Sequence, residues 1–116
     1  MTKPGYWKRV KTIRQRWAED SASEGVCMIC GSGQLCLDVH EMVRRSQSPG
    51  KWGSRANLLA VCRQCHSTVV VNMPLSMQLA HKLLHDPDHF NLTIMSKIAG
   101  RKILLRDVVA CLKRIM

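Results

Sequence analysis

The sequence has few aromatic residues, few acidic residues and no long apolar run. Phenylalanine, tyrosine and tryptophan make up only 4% of the 116 residues, so a hydrophobic core has to rely on Leu, Ile, Val and Met. Small cores commonly need a staple such as a structural metal ion. No segment approaches the roughly 20 apolar residues of a membrane-spanning helix. The length favours one domain, or a small core with an appendage.

The shortage of acidic residues leaves the chain strongly basic. Eight aspartates and glutamates stand against 18 lysines and arginines, which gives a formal net charge of +10. The basic residues fall into three groups, within 3–16, 44–63 and 82–114. This charge favours a polyanionic partner, with nucleic acid first and an acidic membrane surface second. Net charge alone does not separate the two.

The N-terminal residues are basic but are not followed by an apolar run, so they do not form a secretory signal. We therefore expect a cytoplasmic protein. In the reducing interior of a cell, closely spaced cysteines are metal ligands rather than disulfides. Within residues 1–24, Val10, Ile13 and Trp17 recur at helical spacing while basic residues take the other faces. This pattern predicts a basic helical arm.

Four of the six cysteines form two C-x-x-C pairs. Cys27 and Cys30 are the first pair, and 31 residues separate them from the second. The second pair is Cys62 and Cys65. Two such pairs supply the four thiolates of a closed tetrahedral Zn²⁺ site, which has no open position for substrate. We predict a structural zinc ion on these four residues, and we rank Cys36 below them because it lacks the pair spacing.

Beyond Pro74, apolar residues recur three times at helical spacing, which predicts three short helices in an extension over 74–116. The stripes are Leu75, Leu79 and Leu83; Phe90, Ile94 and Ile98; and Leu104, Val108 and Leu112. Asp86-Pro87 ends the first helix, and Gly100 closes the second.

Three histidines in this extension, His81, His85 and His89, follow one another at intervals of four. Such spacing can hold a metal ion on one helical face. Asp86-Pro87 interrupts the helix, however, so the third histidine would leave that face. We therefore expect solvated histidines on a polar face.

The segment between the cysteine pairs carries the residues that suggest chemistry. Asp38-Val39-His40-Glu41-Met42 precedes a basic loop, and residues 57–66 then read N-L-x-x-V-C-x-x-C-H. With His40, Asn57 and His66 in this order, the chain resembles the HNH endonucleases, including small ones of phages and mobile elements. The resemblance covers about residues 27–70, and the run from Asn57 to His66 is its most specific part.

The resemblance implies an α+β fold. We expect a zinc-stapled ββα-metal core over 25–73, between the basic arm of residues 1–24 and the helical extension of residues 74–116. It also implies a metal-dependent DNA endonuclease that hydrolyses phosphodiester bonds. The catalytic divalent cation would be separate from the structural zinc. Mg²⁺, Mn²⁺, Ni²⁺ and Zn²⁺ all suit a histidine-containing shell, and the sequence does not choose among them.

The same resemblance implies a role for each site residue. Asn57 would hydrogen-bond across the loop between the two strands, and His66 would bind the catalytic cation. His40 would be a second ligand, with Glu41 in the position where family members usually carry a histidine general base. Two other arrangements stay open. His40 could be the base while Asp38 joins His66 on the metal, or Glu41 could bind the metal while His40 activates water.

Other functions are compatible with parts of the pattern. A zinc-ribbon module that binds nucleic acid without catalysis would need the four cysteines but neither Asn57 nor His66. An adaptor could use the C-terminal helices beside a degenerate nuclease site. Cys62-Arg63-Gln64-Cys65-His66 also spells the haem attachment motif C-x-x-C-H. Haem attachment would give Cys27 and Cys30 no function, and it would need an export signal that the N-terminal residues do not encode.

Overall fold

The computed structural model describes residues 26–33, 37–44 and 55–116. The predicted basic arm, Cys36 and residues 45–54 of the basic loop lie outside the described residues. Within them the chain forms a two-stranded sheet and four α-helices. The small α+β class predicted from the sequence is therefore confirmed.

The sheet is an antiparallel pair made of β1 (Asp38–Glu41) and β2 (Leu58–Val61). Asp38 lies opposite Val61, and Glu41 lies opposite Leu58. All four residues of β2 are buried, which agrees with its uninterrupted apolar sequence. The four residues of β1 are only partly buried, so this strand can present polar side chains to a site.

Helix α1 (Arg63–Thr68) follows β2 after a single residue, Cys62. The Cys62 sulfur accepts a hydrogen bond from the backbone N–H of Cys65 at 3.5 Å and so caps the helix. The helix is only six residues long. β-Branched residues follow it and are poor helix formers, and the chain continues as a 3₁₀ turn over Val70–Asn72.

The three helices predicted beyond Pro74 are all present: α2 (Leu75–His85), α3 (Leu92–Ala99) and α4 (Leu105–Ile115). Asn91 caps the start of α3 by accepting a hydrogen bond from Ile94 N–H at 3.0 Å. Gly100 ends that helix with a φ of 73°, a conformation that glycine adopts without strain. No helix in the described part of the chain is long and apolar enough to cross a membrane.

The hairpin and the C-terminal helices share one hydrophobic core. Leu59 of β2, Leu79 of α2, Met95 of α3 and Val108 of α4 are each 0% exposed and belong to the same cluster. Burying an aliphatic side chain of this size stabilises a fold by roughly 1.5–3 kcal/mol. The extension is therefore packed against the hairpin rather than appended to it.

A buried lysine joins α2 to β2. Lys82 is 0% exposed, and its Nζ donates hydrogen bonds to the Leu58 carbonyl at 2.8 Å and to Asp86 Oδ2 at 2.7 Å. His89 Nδ1 lies 2.8 Å from the other carboxylate oxygen of Asp86. Burial by itself raises the pKa of Asp86, but the hydrogen bonds from Lys82 and His89 outweigh it and lower that pKa. The carboxylate is therefore held ionised beside the lysine.

The expectation that the extension's histidines are all solvated is wrong for His81. This residue is only 8% exposed, so it is packed inside the protein rather than presented to solvent. Burial lowers the pKa of His81, so the ring is neutral near physiological pH. The prediction fails because the buried face of α2 is broader than its leucine stripe. The sequence of one helix does not indicate which other elements pack against its sides.

We expect Lys82→Met to lower the free energy of unfolding by about 3 kcal/mol or more, because it leaves Asp86 and the Leu58 carbonyl without their buried cation. Chemical denaturation followed by circular dichroism measures the change. Lys97→Met, at an exposed position of α3, is the matched control and should leave stability nearly unchanged. Equal stabilities for the two variants would contradict a structural role for this ion pair.

Candidate metal centre and active site

The four cysteines of the two C-x-x-C pairs lie together. All four sulfur atoms are within 4.8 Å of one another, and the sulfurs of Cys30 and Cys62 are 3.9 Å apart. A tetrahedral ion with zinc–sulfur bonds of about 2.3 Å holds its sulfurs roughly 3.8 Å apart. The cluster is therefore compatible with a zinc-stapled core and could hold a metal ion such as zinc.

Backbone hydrogen bonds organise the first cysteine turn around these sulfurs. The Cys27 sulfur accepts hydrogen bonds from the N–H groups of Ile29 at 3.4 Å and of Cys62 at 3.2 Å. These hydrogen bonds fix the position of the Cys27 sulfur. Met28 N–H also donates to the Ala60 carbonyl at 2.9 Å, which fastens this turn to β2. Gly31 supplies the positive φ of 75° with which the turn ends.

Two cysteines of the cluster, the exposed Cys30 and the buried Cys65, have pKa values shifted in opposite directions. Hydrogen bonds from Ser32 lower the pKa of the exposed Cys30 thiol to about 6. Burial raises the pKa of Cys65. Cys65 therefore has to lose its proton when it binds a metal, so metal binding should release protons.

Asn57 ties the two ends of the hairpin loop together. The residue is 0% exposed, its Nδ2 donates to the Val43 carbonyl at 2.9 Å, and its Oδ1 accepts from Val43 N–H at 2.8 Å. Its own carbonyl accepts from Met42 N–H at 2.9 Å. These are the cross-loop hydrogen bonds that the resemblance to HNH endonucleases implies for this residue.

Strand β1 and helix α1 bring three polar side chains together. Asp38 and His40 are two residues apart on β1, so they share one face of the strand. His66 of α1 meets both of them. Its Nδ1 is 3.0 Å from Asp38 Oδ2, and its ring centroid is 5.3 Å from that of His40, at an angle of 70°.

Beside these residues the surface forms a cleft of about 350 Å³. His40 and His66 line it together with Glu41, the residue in the predicted base position. The other lining residues are Val39, Met42, Arg44, Val70, Val71 and Gln78. Val70, four residues after His66, has no side-chain atom that can bind a metal. A cation here would need water or substrate oxygens to complete its coordination.

His40 lies in a partly buried, electropositive position. Burial lowers the pKa of its imidazole, and the nearby His66 and Arg44 lower it further, against the raising effect of a hydrogen bond to Gln78. The ring is therefore neutral near physiological pH. A neutral imidazole can bind a cation or accept a proton, and both roles were predicted for this residue.

Gln78 is a polar residue of this cleft that the sequence did not predict. It comes from α2, in the extension, and its Oε1 is 3.0 Å from His40 Nε2. A signal was present in the sequence, because Gln78 follows Leu75 by three residues and so belongs to the apolar stripe of α2. A polar residue on such a stripe is expected to find a partner when it is buried. The sequence did not indicate which partner.

Comparison of the chain with protein-family models, with curated proteins and with solved structures gave no match. The likeness to HNH endonucleases therefore rests on the quoted residues and on their arrangement.

We expect the purified protein to contain one zinc ion per chain, and Cys62→Ser to lose both the metal and cooperative thermal unfolding, because serine can still cap α1 but removes one of the four thiolates that hold the metal. Metal analysis and circular dichroism measure the two effects. Cys111→Ser, which changes a half-buried cysteine of α4 outside the cluster, is the control and should keep both. A parental unfolding midpoint in the presence of a strong chelator would contradict a metal-dependent core.

Proposed function

We propose that this protein is a metal-dependent DNA endonuclease of the HNH type, with a structural Zn²⁺ ion on Cys27, Cys30, Cys62 and Cys65. One observation carries the proposal. His40, Glu41 and His66 line a single cleft, and a carboxylate from β1 lies 3.0 Å from the His66 ring. A zinc-binding module without catalysis needs the four thiolates but has no use for such a group of imidazoles and carboxylates.

The residues of the cleft fit a catalytic cation by their chemistry. Imidazoles and nearby carboxylates are ligands that Mn²⁺, Ni²⁺ and Zn²⁺ accept, and Mg²⁺ can bind through the carboxylate and water. His40 and His66 would hold the ion. When bound, a divalent cation stabilises the negative charge that develops on the phosphate and on the leaving oxygen.

Asp38 has two possible functions beside His66. By accepting the Nδ1–H of His66 it would orient the ring and leave Nε2 for the cation, which is a common arrangement around metal-binding histidines. Alternatively, Asp38 and His66 Nδ1 could both face one cation, and the 3.0 Å between their atoms also suits two ligands of the same ion. In that second arrangement His40 would be the base.

In the proposed reaction, Glu41 accepts a proton from a water molecule as the water oxygen forms a bond to phosphorus. The bond between phosphorus and the leaving sugar oxygen then breaks, and solvent supplies the proton that this oxygen takes up. Arg44 lines the cleft, and Arg63 lies 3.5 Å from Asp38 with its side chain exposed. Both guanidinium groups could bind the DNA backbone, which gives affinity without base specificity.

We expect the protein to nick supercoiled plasmid in the presence of a divalent cation, and His66→Ala to reduce the rate at least about 100-fold, the lower range for loss of a catalytic group. His66 is partly exposed on a short helix, so the variant should keep its zinc and its unfolding midpoint. His85→Ala, on α2 and outside the cleft lining, is the matched control. Cleavage by His66→Ala at the parental rate would remove this residue from the site.

Glu41→Gln tests the proton acceptor, because glutamine keeps the size of the side chain but does not take up a proton. We expect a loss of about 100-fold or more in the cleavage rate at saturating cation. Asp107→Asn, at an exposed carboxylate of α4, serves as the control. If Glu41→Gln cuts like the parent, the base is His40 or another group.

A second candidate is a nucleic-acid-binding module with a degenerate nuclease site. Two observations favour it: glutamate replaces the usual histidine at position 41, and Val70 provides no further ligand. This protein would bind duplex DNA in a salt-dependent manner but would not cut under any divalent cation. The His66→Ala change would then leave its DNA affinity unchanged.

A further inference from the structure

Gln78 connects the extension to the candidate active site through a chain of two hydrogen bonds. Its side chain is buried, with 6% of the residue exposed. Its Nε2 donates to the Met73 carbonyl at 2.8 Å, and its Oε1 is 3.0 Å from His40 Nε2. Met73 is itself fixed, because its N–H donates to the Val70 carbonyl in the turn after α1.

The Met73 carbonyl determines which way the Gln78 amide points. A carbonyl oxygen only accepts hydrogen bonds, so the amide nitrogen has to face it. The reverse orientation would bring two oxygens to within 2.8 Å of each other. The amide oxygen must therefore face His40, and it too can only accept.

An acceptor facing His40 Nε2 requires a hydrogen on that nitrogen. A neutral imidazole carries a single N–H, so its Nδ1 then keeps a free lone pair. We propose that Gln78 is a positioning residue, which holds His40 with its hydrogen on Nε2 so that Nδ1 is the nitrogen that acts in the cleft. The catalytic part of this inference rests on the proposed nuclease function. The tautomer of His40 can be measured whether or not the protein cuts DNA.

The inference limits what His40 can do. If His40 binds the catalytic cation it does so through Nδ1, and if it is the general base it accepts the proton on Nδ1. Without the Gln78 acceptor the ring could place its hydrogen on either nitrogen. The fraction with Nδ1 available would then fall, and the ring would lose the contact that fixes its orientation.

The direct test is ¹⁵N NMR of the histidine rings in the full-length, zinc-loaded protein at a pH where His40 is neutral. In the parent we expect the two His40 nitrogens to have well-separated shifts, with the protonated shift on Nε2. In Gln78→Met, which has a similar size but no amide acceptor, the two shifts should move toward each other as the tautomers mix.

The buried ring of His81 provides a control for folding, because its shifts should be the same in the parent and in Gln78→Met. A parental His40 with its hydrogen on Nδ1, or a Gln78→Met protein with unchanged His40 shifts, would overturn the inference. Plasmid cleavage is measured in parallel. We expect Gln78→Met to lower kcat by about 10- to 100-fold, the range for partners that orient a ligand, without changing KM for DNA.

The two readouts separate the two claims. If the NMR shifts change as expected and the parent cuts no DNA under any cation, the positioning of His40 by Gln78 stands and the nuclease function fails. If the parent cuts DNA and the shifts do not depend on Gln78, the nuclease function stands and the role of Gln78 is wrong.

Discussion

The meeting of four cysteine sulfurs is the contact on which the rest of the structure depends. It joins two turns separated by 31 residues and closes the chain around the hairpin. Cys62 belongs to the cluster and also caps α1, so the same residue fixes the start of the helix that carries His66. A metal ion on these sulfurs would therefore set the distance between His66 and the residues of β1. A core with so few aromatic residues has few other means of fixing that distance.

The second constraint comes from the packing of α2 on the hairpin. Lys82 reaches the Leu58 carbonyl of β2, and Gln78 reaches His40 of β1. Both contacts are hydrogen bonds between a buried side chain of α2 and a strand of the hairpin, so they fix the helix in one position. The extension thus contributes to the geometry of the cleft, although the HNH-like residues all lie before Pro74.

The sequence predicted those features that depend on local pattern. Cysteine spacing predicted the cluster, apolar periodicity predicted α2, α3 and α4, and Gly100 predicted the end of α3. It did not predict what the flanks of α2 contact. Gln78 is a polar residue on the apolar stripe, His81 and Lys82 lie beside it, and the contacts of all three depend on how the helix packs against the rest of the protein. The pairing of Asp38 with His66 stayed one of three arrangements that the sequence left open. Strand alternation places Asp38 and His40 on one face of β1, but it does not indicate which residue of another element lies opposite that face.

X-ray absorption at the zinc edge tests the central claim most directly, because it counts and identifies the atoms around the metal in solution. Four cysteine ligands predict a shell of four sulfurs at about 2.3 Å, with no nitrogen or oxygen in it. A shell containing imidazole nitrogen or water, or no bound zinc in the folded protein, would contradict the claim that the two cysteine pairs form the cross-link that organises this fold.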